Sequence, residues 1–366
     1  MAAYLDCAAT TPLDPRVRDE VLLYLVEEFG NAGSRTHEFG RRARTAVETA
    51  RDRVASVVGA SRGDVFFTSG ATESNNLAIL GLPQGHAITS RIEHHAVLEP
   101  MNELERRGCD VTWLDPEPGG WIEPLAMREA LRLDTQLVSM MQVNNETGVK
   151  QPIAEIAEAL GDHPAFFHVD AAQGFGKDLA PLRHPRIDMI PVSGHKIHAP
   201  KGIGAIILRR RNGARPPVKP LLFGGGQERG LRPGTLPVHL IAGFGKAAEL
   251  AVEECKQRDQ CCRAFREQLL HGLAPLRPII NGDFARSLPS IVNFSIQDFD
   301  AEAVIDAWKD FAAISDGAAC TSASYTCSHV LSAMRLPEDR KAGAVRLSWC
   351  HFSEMPDLAA MVAALQ

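Results

Sequence analysis

Several short segments set a reactive side chain directly after an apolar run, the place where ligands gather in an open α/β sheet. FFHVDAAQ (166–173) carries Asp170 and Gln173, and IDMIPVSGHK (187–196) ends on Ser193, His195 and Lys196. A lysine amine can form a Schiff base, and a carboxylate can keep a pyridine nitrogen protonated so that the ring acts as an electron sink. With an anion cradle added, this is the set that pyridoxal phosphate requires. FFTSGATES (66–74) offers the cradle: a strand, a small-residue turn leading into Ala71 and Thr72, and a helix N-terminus whose free amides attract an anion. Taken singly, each residue has a plainer use. Asp170 would be a turn residue, Lys196 a solvated cation, His195 a loop cap, and Ser69 or Thr72 a helix N-cap. The conjunction at one sheet edge raises the cofactor reading.

Four further residues fit the same edge. His94, in IEHHAV, could stack on a flat cofactor and exchange protons with a substrate, or could join His95 on a metal, although no third ligand follows at helical spacing. Asn145, in QVNNETG, could bond a phenolic oxygen and a substrate carboxylate, or close a turn. Arg346, in AVRLSW, offers a planar fork to a carboxylate or makes a surface salt bridge. Cys320, in the small-residue run DGAACTSAS (316–324), reads as an accessible loop thiol and candidate nucleophile, with Cys327 its weaker rival. Cys255, Cys261 and Cys262 fall in a helical stretch without a CxxC pair, and no metal site is expected.

The elements that must position these residues alternate. Val65 to Thr68 reads as a strand and Ala71 to Leu80 as its helix, and Ala87 to Ser90 and Val97 to Arg107 repeat the pair. Apolar runs follow at Gln136 to Val143, Ala165 to Val169 and Ile187 to Val192, with Ile203 to Leu208 as an antiparallel return. The expectation is an α/β fold, a mostly parallel sheet covered by helices. After about residue 240 a long helical stretch (Leu240 to Leu273) precedes separate strands at Ser290 to Ser295 and Ala344 to Ser348, which predicts a smaller α+β unit.

Composition bounds the function. The chain has 366 residues, 45% hydrophobic and 23% charged, enough for about two folding units without disulfide staples. A net charge of −6 provides no basic field for a phosphate backbone, so direct nucleic-acid binding is not expected. The run Arg209, Arg210, Arg211 reads as a solvated edge without a role. The eight cysteines show no framework spacing, and no basic-apolar leader or membrane-length apolar run occurs, so a reduced, cytoplasmic protein is expected. GGGQERG (224–230) fails the dinucleotide pattern and disfavours NAD.

The ordered segments LDCAATTPLDPRV, FGNAGSRTHEFG, FTSGATESNNLAI, EHHAVLEP, VNNETGVKQPI, HVDAAQ, SGHKIHAPKGIGA, GGGQERGLRPGTLPV and DGAACTSAS resemble the pyridoxal-phosphate-dependent cysteine desulfurases of the fold type I, class V aminotransferase group. The cysteine loop is similar to that of the long-loop subgroup. The resemblance implies Lys196 as the Schiff-base lysine, Asp170 as the partner of the pyridine nitrogen, Gln173 on the phenolic oxygen and His94 stacked on the ring. It implies Ala71, Thr72, Ser193 and His195 at the phosphate, joined by Thr235 from the neighbouring subunit of a homodimer. Asn145 and Arg346 would bind the carboxylate of L-cysteine, and Cys320 would take its sulfur as a persulfide, releasing alanine. The implied division is a large cofactor domain over 15–250 and a small domain over 1–14 and 251–366.

The chain departs from the family pattern in places. Cys7 stands where an aromatic residue is usual, Asp316 where serine is usual, and Tyr325, Thr326 and Cys327 replace a Leu-Glu-Pro-like segment. An acid four residues before Cys320 would raise its pKa. The chain also ends at Gln366, without the tail that housekeeping members use to dock a scaffold. This points to an acceptor protein in tRNA thiolation or DNA phosphorothioation beside one in iron–sulfur assembly. The rival readings are a selenocysteine lyase or another class V aminotransferase, and a catalytically idle sulfur-trafficking protein.

Overall fold

A short strand, β1 (Ala3–Tyr4), precedes the seven that build the main sheet: β2 (Val65–Thr68), β3 (His86–Ser90), β4 (Val111–Leu114), β5 (Thr135–Met141), β6 (Phe166–Asp170), β7 (Met189–Ser193) and β8 (Gly204–Leu208). The computed structural model describes residues 2–316 and 328–366. The spatial order is β2-β8-β7-β6-β5-β3-β4. The paired neighbours from β7 to β4 are parallel, whereas β8 runs antiparallel to both β2 and β7. Every residue of β7 (MIPVS) and β8 (GAIIL) is buried, because helices cover both faces of the sheet.

Alternation along the strands divides the apolar side chains between two layers. Phe67, Val138, Phe167, Ile190 and Ile207 meet the helices Glu38–Val58 and Val238–Glu253 on one face. Phe66, Leu137, Met189 and Ile206 meet the helices Ala71–Leu80 and His95–Arg106 on the other. The Glu38–Val58 helix is capped by the His37 ring and stops at Gly59, whose φ of 68° suits a residue without Cβ.

A second, antiparallel sheet forms later in the chain from β9 (Ile279–Ile280), β10 (Ile291–Ser295), β12 (Ser315–Asp316) and β13 (Ala344–Ser348), in the order β12-β13-β10-β9, while β11 (Ala312–Ala313) pairs with β1. It has its own core of Phe294, Trp308, Leu347 and Trp349, closed by Leu5 from the N-terminus and by Leu269 and Leu273. A bridge between Asp6 and Ser348 ties the N-terminal segment to β13.

The structure differs from the sequence expectation in three places. The long helix over Leu240 to Leu273 is two helices, Val238–Glu253 and Cys255–Leu273. The break falls at Glu254, whose carboxylate is held by Arg16 and Arg258, and the two pieces serve different cores. Arg209 and Arg211 are not a solvated edge. Arg209 donates to the carbonyls of His184, Val58 and Leu182, and Arg211 to those of Ala165 and Pro164, tying loops beneath the sheet. Strand β4, only partly buried, carries too weak an apolar signal to have been expected. Among the described residues no helix is long and apolar enough to cross a membrane.

Candidate active site

The parallel strands end together, and the turns beyond β2, β3, β5, β6 and β7 open on one cleft of about 430 Å³, a size suited to a small cofactor with its substrate. Ala71 and Thr72 line it after β2, His94 after β3, and Asn145 after β5. Asp170 and Gln173 come from the end of β6, Ser193, His195 and Lys196 from the end of β7, and Arg346 from β13. Thr235 does not join them: it is exposed in a separate cleft with Arg51 and Glu228. Cys320 and Cys327 lie outside the described residues. Of their described flanks, Ser315 accepts from Arg346, which lines the cleft, and Ser328 donates to the buried carboxylate of Glu146.

Asp170 is fixed from below. Its Oδ2 accepts from Asn75 Nδ2 at 2.8 Å and its Oδ1 from the Ala172 amide at 2.8 Å. Asn75 Oδ1 pairs with His168 Nε2 at 2.9 Å, and His168 Nδ1 pairs with Ser139 Oγ at 2.8 Å. Burial pushes the His168 imidazole down to about 3, so this ring is neutral and serves as a link in the chain. The amine of Lys196 donates to the carbonyls of Ala8 and Ala9, so the N-terminal segment closes the cleft over it. Asn75 and His168 escaped the sequence reading. Their signal was a polar side chain buried within an otherwise apolar helix face or strand.

His94 is the N-cap of its helix, with Nδ1 accepting from the Ala96 amide at 3.0 Å. Burial lowers its pKa, which favours the neutral ring with its proton on Nε2. Beside it, fully buried Glu93 accepts from Ser90 Oγ at 2.6 Å and from the Met141 amide at 3.0 Å, both at Oε1. Its Oε2 has no partner among the described residues, and burial pushes the carboxyl from 4.5 up to about 8. As pH rises from 4.5 through 8 the unfolded chain releases this proton while the folded chain keeps it, so the contribution of Glu93 to stability falls across that window. Glu93→Gln keeps the acceptor oxygen and carries no proton to lose. Its stability relative to wild type should therefore increase between pH 5 and pH 8 by on the order of a few kcal/mol, at about 1.4 kcal/mol per pH unit. Denaturant melts at both pH values measure this, and a difference independent of pH contradicts it.

The anion cradle differs in detail from expectation. Gly70, and neither Ser69 nor Thr72, is the N-cap of the Ala71–Leu80 helix and supplies no side-chain bond, so the first-turn amides are left for a ligand. Gly204 permits the turn to sit here, because a Cβ on it would lie 2.6 Å from Gly70 Cα. Burial pushes His195 down to about 4, and its Nδ1 pairs with Thr10 Oγ1 at 3.2 Å.

Arg346 makes no surface salt bridge. It is 1% exposed and pairs with Asp6 at 2.6 Å, while Nη1 donates to the Asn145 carbonyl at 2.9 Å. Gln173 Nε2 donates one of its two N–H groups to the Ala8 carbonyl at 2.8 Å. Two buried cleft atoms have no partner among the described residues: Arg346 Nε, a donor, and Gln173 Oε1, an acceptor. Leaving buried polar atoms unmatched costs about 1–3 kcal/mol each, and a polar ligand in the cleft would supply their partners.

The residues fit pyridoxal phosphate: an amine, a fixed carboxylate, a neutral ring and an anion cradle converge on a cleft of sufficient size. A fold and site of this kind define a pyridoxal-phosphate enzyme of the class V type, and the comparisons with known proteins agree. The sequence profile of the aminotransferase class-V family matches residues 3–361. The chain is 44% identical to the cysteine desulfurase IscS of Vibrio cholerae serotype O1 (strain M66-2) over 359 residues, covering 96% of this chain and 88% of that one. It superposes on the crystal structure of DndA from Streptomyces lividans with a TM-score of 0.83 and 50% identity, covering 95% and 99% of the two chains. A NifS-like protein gives a TM-score of 0.90 with 33% identity, covering 100% and 97%. The chain belongs to the class-V aminotransferase family. It is a pyridoxal-phosphate-dependent cysteine desulfurase.

Proposed function

We propose that this desulfurase takes sulfur from L-cysteine onto Cys320 and passes it to an acceptor protein, releasing L-alanine. The observation that carries the reading is the convergence of Lys196, Asp170, His94 and Arg346 on one cleft beside the residues that flank the Cys320 segment. Pyridoxal phosphate, when bound, supplies an aldehyde for the substrate amine and a cationic ring that accepts the electrons left by the departing α-proton. Lys196 would hold the aldehyde and, when freed, its amine would carry the proton taken from the substrate. Asp170, acceptor-only and clamped by Asn75 and Ala172, keeps the ring nitrogen protonated. His94 would stack on the ring, Gln173 would bond its phenolic oxygen, and Ala71, Thr72, Ser193 and His195 would hold the phosphate.

The substrate carboxylate meets Arg346 and Asn145, while Asp6 holds the guanidinium at Nη2. The Cys320 thiolate attacks the substrate sulfur. A sulfur–sulfur bond forms as the carbon–sulfur bond breaks, and the three-carbon skeleton takes up a proton and leaves as alanine. The unit over 15–250 holds the coenzyme, and the unit over 1–14 and 251–366 brings Arg346 and Cys320 to it. The enzyme works in the cytoplasm as a homodimer, and Thr235 of each chain completes the phosphate site of the other. The acceptors are proteins of iron–sulfur assembly, tRNA thiolation or DNA phosphorothioation.

Peptide mapping by mass spectrometry after treatment with L-cysteine tests the central step. One added sulfur atom is expected on Cys320, with alanine formed in equal amount. Sulfur mapped to Cys327 instead, or alanine and sulfide formed equally well by Cys320→Ala, rejects it.

A further inference from the structure

Lys196 also lines a second and smaller cavity of about 50 Å³, together with Lys177, His198, Arg258, Cys350 and His351. One donor atom from each of His198, Cys350 and His351 falls within 4.8 Å of the other two, and these three form a cluster of metal-ligating type among the described residues. We infer that this cluster is a zinc site, with His198, Cys350 and His351 as its three protein ligands and a fourth position left for water.

The donor set suits the ion. Two imidazoles and a thiolate select Zn²⁺ over the oxygen-seeking Mg²⁺ and Ca²⁺. His198 Nδ1 donates to the Pro12 carbonyl at 3.0 Å, which fixes the tautomer and leaves the Nε2 lone pair for a metal, the usual outer-shell arrangement of a ligating histidine. Its backbone is held at a φ of 71°, uncommon for a residue with a Cβ, and the surrounding packing maintains it. His351 Nε2 is buried and has no partner among the described residues, so a ligand is wanting at that atom. The two rings stand edge to face at 4.8 Å between centroids. Cys350 is 9% exposed and accepts from Ser353 Oγ at 3.8 Å, while Cys7 is 3% exposed and donates to Cys350. Neither thiol is in a disulfide.

The position gives the site a task. His198 follows Lys196 by two residues on the turn after β7, and Cys350 and His351 follow β13, which carries Arg346. One ion would therefore pin these two segments together beside the lysine. It would also occupy the buried Cys350 thiol, to which the persulfide sulfur could otherwise be passed. Binding releases the thiol proton.

The test uses reduced, chelator-treated holoenzyme titrated with CoCl₂, read as difference spectra, then with ZnCl₂. The expected result is one cobalt per chain, with the intense visible bands of a tetrahedral ion and a thiolate-to-cobalt charge-transfer band, all displaced by one equivalent of zinc. Cys320→Ser should bind as wild type does, which separates this site from the persulfide cysteine. His351→Ala and Cys350→Ser should each bind at least about tenfold more weakly. His351 is only partly buried, so that variant keeps the test decisive should Cys350→Ser fold poorly. Six-coordinate cobalt, no binding to the reduced protein, or unchanged affinity in His351→Ala overturns the assignment.

Discussion

Lys196→Ala is expected to lower alanine formation from L-cysteine by at least about 10³-fold, the loss that follows when a positioned proton carrier is removed. Borohydride reduction of wild-type holoenzyme should fix the coenzyme on the peptide containing Lys196, and the variant should yield no such peptide. The fold should survive the change. The lysine amine donates to the Ala8 and Ala9 carbonyls at the wall of an open cleft, and water can replace it there at a net cost of about 1 kcal/mol. The relevant competitor is Lys201, which lines the same cleft. A coenzyme-bearing peptide that contains Lys201, in wild type as well as in the variant, would remove Lys196 from its role.

Much of this site could be read from the chain because a parallel sheet gathers its strand ends at one edge. An apolar run followed by a polar residue is visible in one dimension, and Asp170, Ser193 and His94 each stand at such a point. The Ala71–Leu80 helix begins and ends where small-residue turns bound it on both sides, at Gly70 and Gly81. What the chain hid are partners brought together from far apart in sequence. Asp6 beside Arg346 and Cys7 beside Cys350 each join the first residues to the last strand, through a bridge that no local pattern announces. Asn75 and His168 were hidden for a second reason. Each looked like a polar interruption in an apolar element, and only the packed sheet shows that their polar atoms satisfy one another. The break at Glu254 was concealed by strong helix formers on either side, and the long-range ion pair to Arg16 is visible only in the fold.

Asp170→Asn separates charge from shape at the same position and is expected to cost on the order of 10³-fold in alanine formation while leaving the protein folded. Asparagine cannot present a full negative charge to the ring nitrogen, so the proton that makes the ring an electron sink is no longer held. The network beneath can absorb the new amide. With Oδ1 kept toward the Ala172 amide, the new Nδ2 faces Asn75, whose side chain must then turn its own oxygen toward it. Asn75 Nδ2 would in turn meet His168 Nε2, which accepts if the ring moves its proton to Nδ1 and donates to Ser139 Oγ. A neutral imidazole has both tautomers open to it at similar energy, and burial holds His168 neutral. The variant should therefore melt within about 1 kcal/mol of wild type, the range of an ordinary surface change rather than of a broken buried network. It should also retain bound coenzyme by absorbance, because Lys196 and the anion cradle are untouched. Asn75→Ala provides the contrast, since it breaks the chain without altering the charge of Asp170: lower stability, with a rate loss well below that of Asp170→Asn, is expected. A rate for Asp170→Asn within tenfold of wild type would show that the cleft holds its ring nitrogen by some other group.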